Sequence, residues 1–333
     1  MTAMDFAGAN TGRGYEQFLR ELRPRQAGAR VCVLRGAPGT ARRQLLQRLA
    51  REWQRQGRAV CCHAGAEGGD SLLAVVSGDR AALDGALPLG PEAGPEDLAI
   101  DLSAALDLSA LRGQRAQAEA LQRRVQSLRS RAWRCLQVAH TAWSDTAAIY
   151  AEAADQGAVM NLRLELSRWI QGESGRRRRV FARAVTPDGV VSHTEGLARP
   201  HTLCLELPWG FDPDPLLYPA AAALQLRGEG HTAVMQLLDG GRLEHLCTDT
   251  HAVVTEPLPG CEKRTLPLDE AVLRREQSAL AFNRAAYDLW LRQGVEALSA
   301  ARDCALRLER LVEDAALPDK REELAQAALR FLA

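Results

Sequence analysis

The chain repeats itself, and few features constrain a fold more, because whatever the first half forms the second must be able to form as well. Phe6-Ala-Gly-Ala9-Asn-Thr11-Gly-Arg-Gly14 returns as Phe181-Ala-Arg-Ala184-Val-Thr186-Pro-Asp-Gly189, identical at Phe, both Ala, Thr and the last Gly, with a constant shift of 175 residues. Leu203-Cys-Leu205 stands where Val31-Cys-Val33 stood, and Leu216-Leu217 where Leu45-Leu46 stood. With the shift relaxed to 171, Ala252-Val-Val254-Thr255-Glu-Pro-Leu258-Pro259 follows Ala81-Ala-Leu83-Asp84-Gly-Ala-Leu87-Pro88. The halves read as a tandem duplication packed as an internal pseudo-dimer.

Each copy is expected to begin as an α/β unit. In the first, Val31–Leu34 is an apolar run suited to a buried strand, Gly36-Ala37-Pro38-Gly39-Thr40 is a tight turn, and Leu45, Leu46 and Leu49 recur at helical spacing. Strand, loop and helix follow one another in a phosphate-binding loop too. There the pattern Gly-x4-Gly-Lys-Ser/Thr gives backbone N–H groups that cradle phosphates, a Lys for the β/γ oxygens and a hydroxyl for Mg²⁺. Counted from Gly36, the last three positions are Ala41, Arg42 and Arg43. Ala41 disfavours glycine-like backbone geometry, the planar fork of Arg42 does not substitute for a compact ammonium, and Arg43 has no hydroxyl.

Arg80–Asp84 reads as a buried strand ending in an acid, the position of a Mg²⁺-holding aspartate in an active NTPase. A strand-end Asp opening a turn before Gly85 explains the same residues more simply. Gly36, Ala37, Pro38, Gly39, Thr40, Ala41, Arg42, Arg43 and Asp84 are therefore the candidate nucleotide-binding residues. Weakly held ATP is the one cofactor they suggest; Mg²⁺ lacks its hydroxyl, and no catalytic or metal-ligating residue is assigned. In the second copy the loop is Glu206-Leu-Pro-Trp-Gly-Phe-Asp212-Pro-Asp214 and the strand-end position is Thr255. Acids then stand where a phosphate needs donors and cations, so this half should repel a triphosphate.

Beyond the first unit, Asp70–Val76 reads as a short amphipathic segment and residues 108–171 as an antiparallel helical pair, with Leu121, Val125, Leu128, Ala132, Cys135 and Ala139 at three- and four-residue steps. Trp133, Trp143, Tyr150 and Trp169 are expected to anchor helix packing. Gly172–Arg179 is small and polar and ends in four consecutive arginines, so the division is placed there, giving domains 1–179 and 180–333. The second half should end in helices over residues 268–332, with Leu280, Leu289, Trp290, Leu298, Leu308 and Leu311 as core. The expected class is thus α/β: two tandem P-loop NTPase-like units, each a parallel sheet flanked by helices and followed by a helical hairpin or insertion.

These pieces carry a resemblance. Phe6 to Gly14, Gly36-Ala-Pro-Gly39-Thr40, Cys62-His63 with Asp70-Ser-Leu, the Asp84-Gly85 strand end and Thr186-Pro-Asp-Gly189 resemble an uncharacterised bacterial family of tandem P-loop ATPase-like proteins. Each copy in that family carries a Gly-x-Pro-Gly-x-Gly-Lys-Ser-Thr loop, and the resemblance implies two P-loop domains with helical insertions and ATP binding. The chain departs from it at Ala41, Arg42, Arg43 and throughout Glu206–Asp214. Phosphoryl transfer rests almost entirely on positioned cations, so the expectation is a pseudo-ATPase without hydrolysis, acting as a binding or scaffold protein. The alternative is an ATPase or nucleotide kinase that uses Arg42 and Asp84 in place of the usual set.

Composition narrows the partners. Forty-two basic residues balance forty-two acidic ones, so no general field draws in nucleic acid or an anionic membrane. The arginines between Arg112 and Arg134 are diluted by Glu, Gln and Ser and are read as a solvated face; the expected partner is another protein. No basic, apolar leader opens the sequence and no run reaches a membrane span, which places the chain in the cytoplasm. Its eight cysteines lack paired C-x-x-C spacing and read as free thiols. Cys61-Cys62-His63 and His245, Cys247, His251 have no spacing that converges three ligands.

Overall fold

The computed structural model describes residues 5–24, 26–68, 71–85 and 91–333. Asp70, Leu87 and Pro88, used in the comparisons above, lie outside them, as do residues 1–4.

Val31–Leu34 form the centre of a strand whose four buried positions are flanked by exposed arginines, the pattern of a strand covered on both faces. The first half runs β1 (Asp5–Phe6), β2 (Gly8–Thr11), β3 (Gly14–Gln17), β4 (Arg30–Arg35), α1 (Arg42–Arg55) and β5 (Cys61–Ala64). It continues with β6 (Leu72–Ser77), β7 (Arg80–Asp84), β8 (Leu98–Asp101), α2 (Leu108–Arg112), α3 (Arg115–Ala153) and α4 (Gln156–Trp169). The second half runs β9 (Arg177–Phe181), β10 (Arg183–Thr186), β11 (Gly189–Ser192), β12 (His201–Glu206), α5 (Asp214–Leu226) and β13 (His231–Gln236). Then come β14 (Asp239–Cys247), β15 (His251–Val254), β16 (Glu262–Thr265), α6 (Glu270–Arg275), α7 (Gln277–Glu313) and α8 (Pro318–Leu332).

The architecture is mixed α/β, with two sheets flanked by helices. A twelve-stranded sheet has the order β16-β12-β15-β14-β13-β9-β1-β5-β6-β7-β4-β8, and a smaller one the order β11-β10-β2-β3. Both read the same way outward from their centres, where β1 meets β9 at Phe6 and Phe181 and β2 meets β10 at Asn10 and Val185. Registers correspond too: Val31 pairs with Ala81 on β4 and β7, as Thr202 pairs with Ala252 on β12 and β15. The division expected at residues 179/180 falls inside β9. The four arginines do not form a free linker: Arg178 donates to Thr232 Oγ1 at 2.7 Å, and Arg179 ion-pairs with Glu21 at 2.5 Å.

Four expectations are corrected. The sheet is not all parallel: β6 runs antiparallel to β5 and β7, β14 runs antiparallel to β13 and β15, and β1 meets β9 antiparallel at the centre. The segment read as amphipathic, Asp70–Val76, contributes Leu72–Val76 to β6, which turns into β7 through Gly78-Asp79, with Gly78 at φ 59° supplying the positive dihedral that a two-residue hairpin needs. The long helices also do not pair within their own half. α3 lies against α7, antiparallel, along seven-residue seams of Val125, Ala132, Ala139 and Thr146 on one side and Tyr287, Gly294, Ala301 and Leu308 on the other. Small residues let the backbones close: a Cβ on Gly294 would stand 2.8 Å from Leu136 Cδ2. Leu289 and Trp290, expected in the core, fall off this seam and are exposed.

The last helix of each half is handed to the other. α4 puts Val159, Leu162 and Leu166 into one core with Leu216, Leu217, Ala220 and Leu224 of α5. α8 puts Ala325, Ala328 and Leu332 against Leu34, Leu46, Leu49 and Trp53 of the first half. Matched backbone bonds fasten the crossings: Asp107 N–H to Ala315 O and Leu317 N–H to Ala105 O, both 2.8 Å, mirror Asp269 N–H to Ala153 O at 2.7 Å and Asp155 N–H to Pro267 O at 3.2 Å. Among the described residues no helix is long and apolar enough to cross a membrane.

Candidate functional site

The turn between β4 and α1 brings the sequence-selected residues together. Gly36 and Gly39 take φ of 139° and 85°, and Ala41 is held left-handed at φ 63° as the residue preceding α1, a conformation that costs a side-chain-bearing residue roughly 1 kcal/mol. Thr40 is buried, its hydroxyl donating to Ala37 O at 2.8 Å, while Ala37 N–H donates to Ser103 Oγ at 3.0 Å. Parallel pairing of β4 with β7 sets Leu34 opposite Asp84, which puts the Asp84 carboxylate at the open end of the turn.

Arg42 occupies the inside of this turn. Its Nε donates to Asp84 Oδ1 at 3.0 Å, and one Nη donates to Gly36 O and to Ala37 O, each at 2.6 Å, with Thr40 Oγ1 at 3.3 Å. The turn therefore presents carbonyl oxygens to a guanidinium that is already matched by a carboxylate. A phosphate cradle has the opposite polarity, N–H groups facing an anion. The turn is also roofed: a Cβ on Gly39 would lie 2.9 Å from Glu309 Cα, Glu309 O and Val312 Cβ, so the last turns of α7 rest directly on it. The chain matches no protein-family model. No curated protein and no solved structure matches it either.

The register-equivalent turn of the second half, Glu206–Asp214, is built differently. Glu206 is paired with Lys263 at 2.5 Å. Asp212 is nearly buried, accepts from Gln236 Nε2 at 2.7 Å and is paired with Arg242. Asp214 begins α5 and accepts from Leu243 N–H at 2.8 Å; burial raises its pKa. Thr255 donates its N–H to Nδ1 of the fully buried His245 at 3.1 Å. That bond fixes Nδ1 as an acceptor, and burial, followed by the nearby Arg183 charge, holds the ring neutral with its pKa lowered to about 3.

Beside this turn lies a cavity of about 180 Å³ that sequence reasoning missed. Arg183, Glu244 and Glu256 line it, with Trp143, Trp209 and Tyr287. A signal was present in the sequence, since Arg183 and Glu256 stand at the positions that Gly8 and Gly85 hold in the first half. The remaining candidates are structural. Among the described residues no group of three or more His, Cys, Asp or Glu is placed to hold a metal ion. His63 instead meets Asp5 across β5 and β1, Nδ1 to Oδ1 at 2.5 Å, with both residues buried. The eight cysteines are free, five of them buried.

Proposed function

We propose that the chain is a tandem-duplicated, degenerate P-loop-like protein that does not hydrolyse ATP and acts as a binding or scaffold protein. One observation carries the reading: the guanidinium of Arg42 fills the turn that would hold phosphates, bound to Gly36 O, Ala37 O and Asp84. A nucleotide would have to displace that arginine, reverse the polarity of the turn and lift Glu309 and Val312 from Gly39, each against packing already made. The duplication is supported by the matched strand orders and by central pairs lying 175 residues apart, the shift found in the sequence repeat.

A binding role is favoured by the outer face of α7, where Phe282, Leu289 and Trp290 stand exposed although the helix is otherwise amphipathic. Calorimetric titration with Mg-ATP tests the reading. No saturable heat is expected; micromolar binding abolished by Arg42→Ala would overturn it.

A further inference from the structure

The two halves differ most where four register-equivalent positions converge. In the first half these are Gly8, Leu73, Ala74 and Gly85, small or apolar throughout. In the second they are Arg183, Glu244, His245 and Glu256. The pairings that define the equivalence are His63 with Ala74 and Val234 with His245, followed in both halves by the same register shift. Glu244 is the extra residue of the bulge that follows, a device that re-aims a side chain out of the regular pleat. A polar cluster has thus been built into one half at positions where the other half shows that none is needed for folding.

The cluster faces the cavity and is not internally satisfied. One guanidinium nitrogen of Arg183 bonds Glu244 Oε1, and another ion-pairs with Glu256 Oε1 at 2.8 Å, while Arg183 Nε and His245 Nε2 have no hydrogen-bond partner among the described residues. Glu244, 6% exposed, retains an Oε2 with no hydrogen-bond partner among the described residues. His245 Nε2 is 3.8 Å from that oxygen, too far to satisfy it. Two carboxylates against one guanidinium leave the wall with one excess negative charge. The cavity is also lined by Trp143, Trp209 and Tyr287, with Trp209 and Tyr287 edge to face at 5.1 Å. Trp209 already holds one cation over its ring, Arg284 at 4.3 Å, and that charge is matched by Asp288 at 3.0 Å.

We propose that this cavity is a binding site for a small organic cation, an amine carried on one aromatic ring or a short apolar body. Its positive charge would face the Glu244 and Glu256 carboxylates, and its body would lie against Trp143, Trp209 and Tyr287. The size suits one ring: an engineered protein cavity of about 150 Å³ takes up benzene, and this one measures about 180 Å³. An anion of the same shape meets the excess carboxylate, so charge sign is the discriminating property.

Tyramine and its carboxylate analogue 4-hydroxyphenylacetate test this on the full chain, by calorimetry and by tryptophan fluorescence. Saturable tyramine binding is expected, with the anion weaker by about tenfold or more. Glu244→Gln should weaken tyramine by about tenfold, since the neutral amide removes one of the two carboxylate charges that face the amine. Should that variant melt before it can be titrated, Trp209→Leu is expected to weaken tyramine likewise. Equal affinity for the two probes, unchanged tyramine affinity in both variants, or no saturation by tyramine up to ~5 mM would overturn the proposal.

Discussion

Replacing Arg42 by alanine is expected to destabilise the protein by about 3 kcal/mol, and the figure follows from what the guanidinium touches. It makes three hydrogen bonds of 2.6 to 3.0 Å, to two carbonyls of the turn and to the Asp84 carboxylate, with both charged side chains largely buried. Bonds to a charged group are worth about 1.5–3 kcal/mol each when one partner is deleted, and they are not additive when they share a group. If the chain unfolds as one unit, about 3 kcal/mol lowers Tm by about 4 °C. Arg42→Lys should lose about half as much, because an ammonium can face Asp84 without spanning both carbonyls. The double variant with Asp84→Asn should be less unstable than the two single losses combined. R42A is also expected to gain no affinity for Mg-ATP, because Glu309 and Val312 still rest on Gly39. Urea denaturation of the four proteins measures the cycle. Stability of R42A within about 0.5 kcal/mol of the parent would refute the energy assigned to these bonds, and micromolar Mg-ATP binding by R42A would mean that the turn is a nucleotide cradle with an arginine lid.

Two further outcomes are expected. Asp5 and His63 pair at the positions held in the second half by Val180 and Val234. H63V alone should therefore cost about 3–5 kcal/mol, while D5V with H63V should fall within about 1 kcal/mol of the parent or above it; a double variant as unstable as the single would show that the cavity shape, and not the pair, decides. The second concerns acid. His245 has its pKa lowered from near 6.5 to about 3 by burial, so below pH 6.5 the unfolded chain takes up a proton that the folded one refuses. Stability then falls as pH drops from about 6.5 towards 3, by on the order of 4 kcal/mol. H245Q keeps an acceptor for the Thr255 N–H and should flatten that limb in denaturation measured across pH; an unchanged slope would assign the acid sensitivity elsewhere.

Much of the framework was legible because its signals are local. Val31–Leu34 followed by Leu45, Leu46 and Leu49 specified a strand and a helix, and the repeated Phe6 and Phe181 blocks anticipated two halves of one topology. β6 was misread because it is buried on both faces, so Leu72–Val76 shows no alternation; Gly78-Asp79 between two apolar runs was the overlooked hairpin mark. The partnership of α3 with α7 was not legible, since a seven-residue seam of Ala and Gly states that a helix pairs without naming the partner. Arg42 and Asp84 stood out in the sequence as potential ligands of a nucleotide. That they bond each other depends on β4 lying beside β7, a contact between residues 42 positions apart. The cavity depends on a bulge and on side chains from several separate segments, so only the departures from the repeat at Arg183 and Glu256 marked it.

The crossing of α8 into the first half sets an order of events at birth. Leu34, Leu46, Leu49 and Trp53 are synthesised long before Ala328 and Leu332, which cover them. At ordinary elongation rates the gap is roughly 15 to 55 s. During that interval the nascent chain carries an open apolar face that no local segment can shield, and the same holds for α4 until α5 arrives to meet it. Halves that trade helices in this way depend on each other for closure, so the core of the first cannot be completed before α8 of the second has been made.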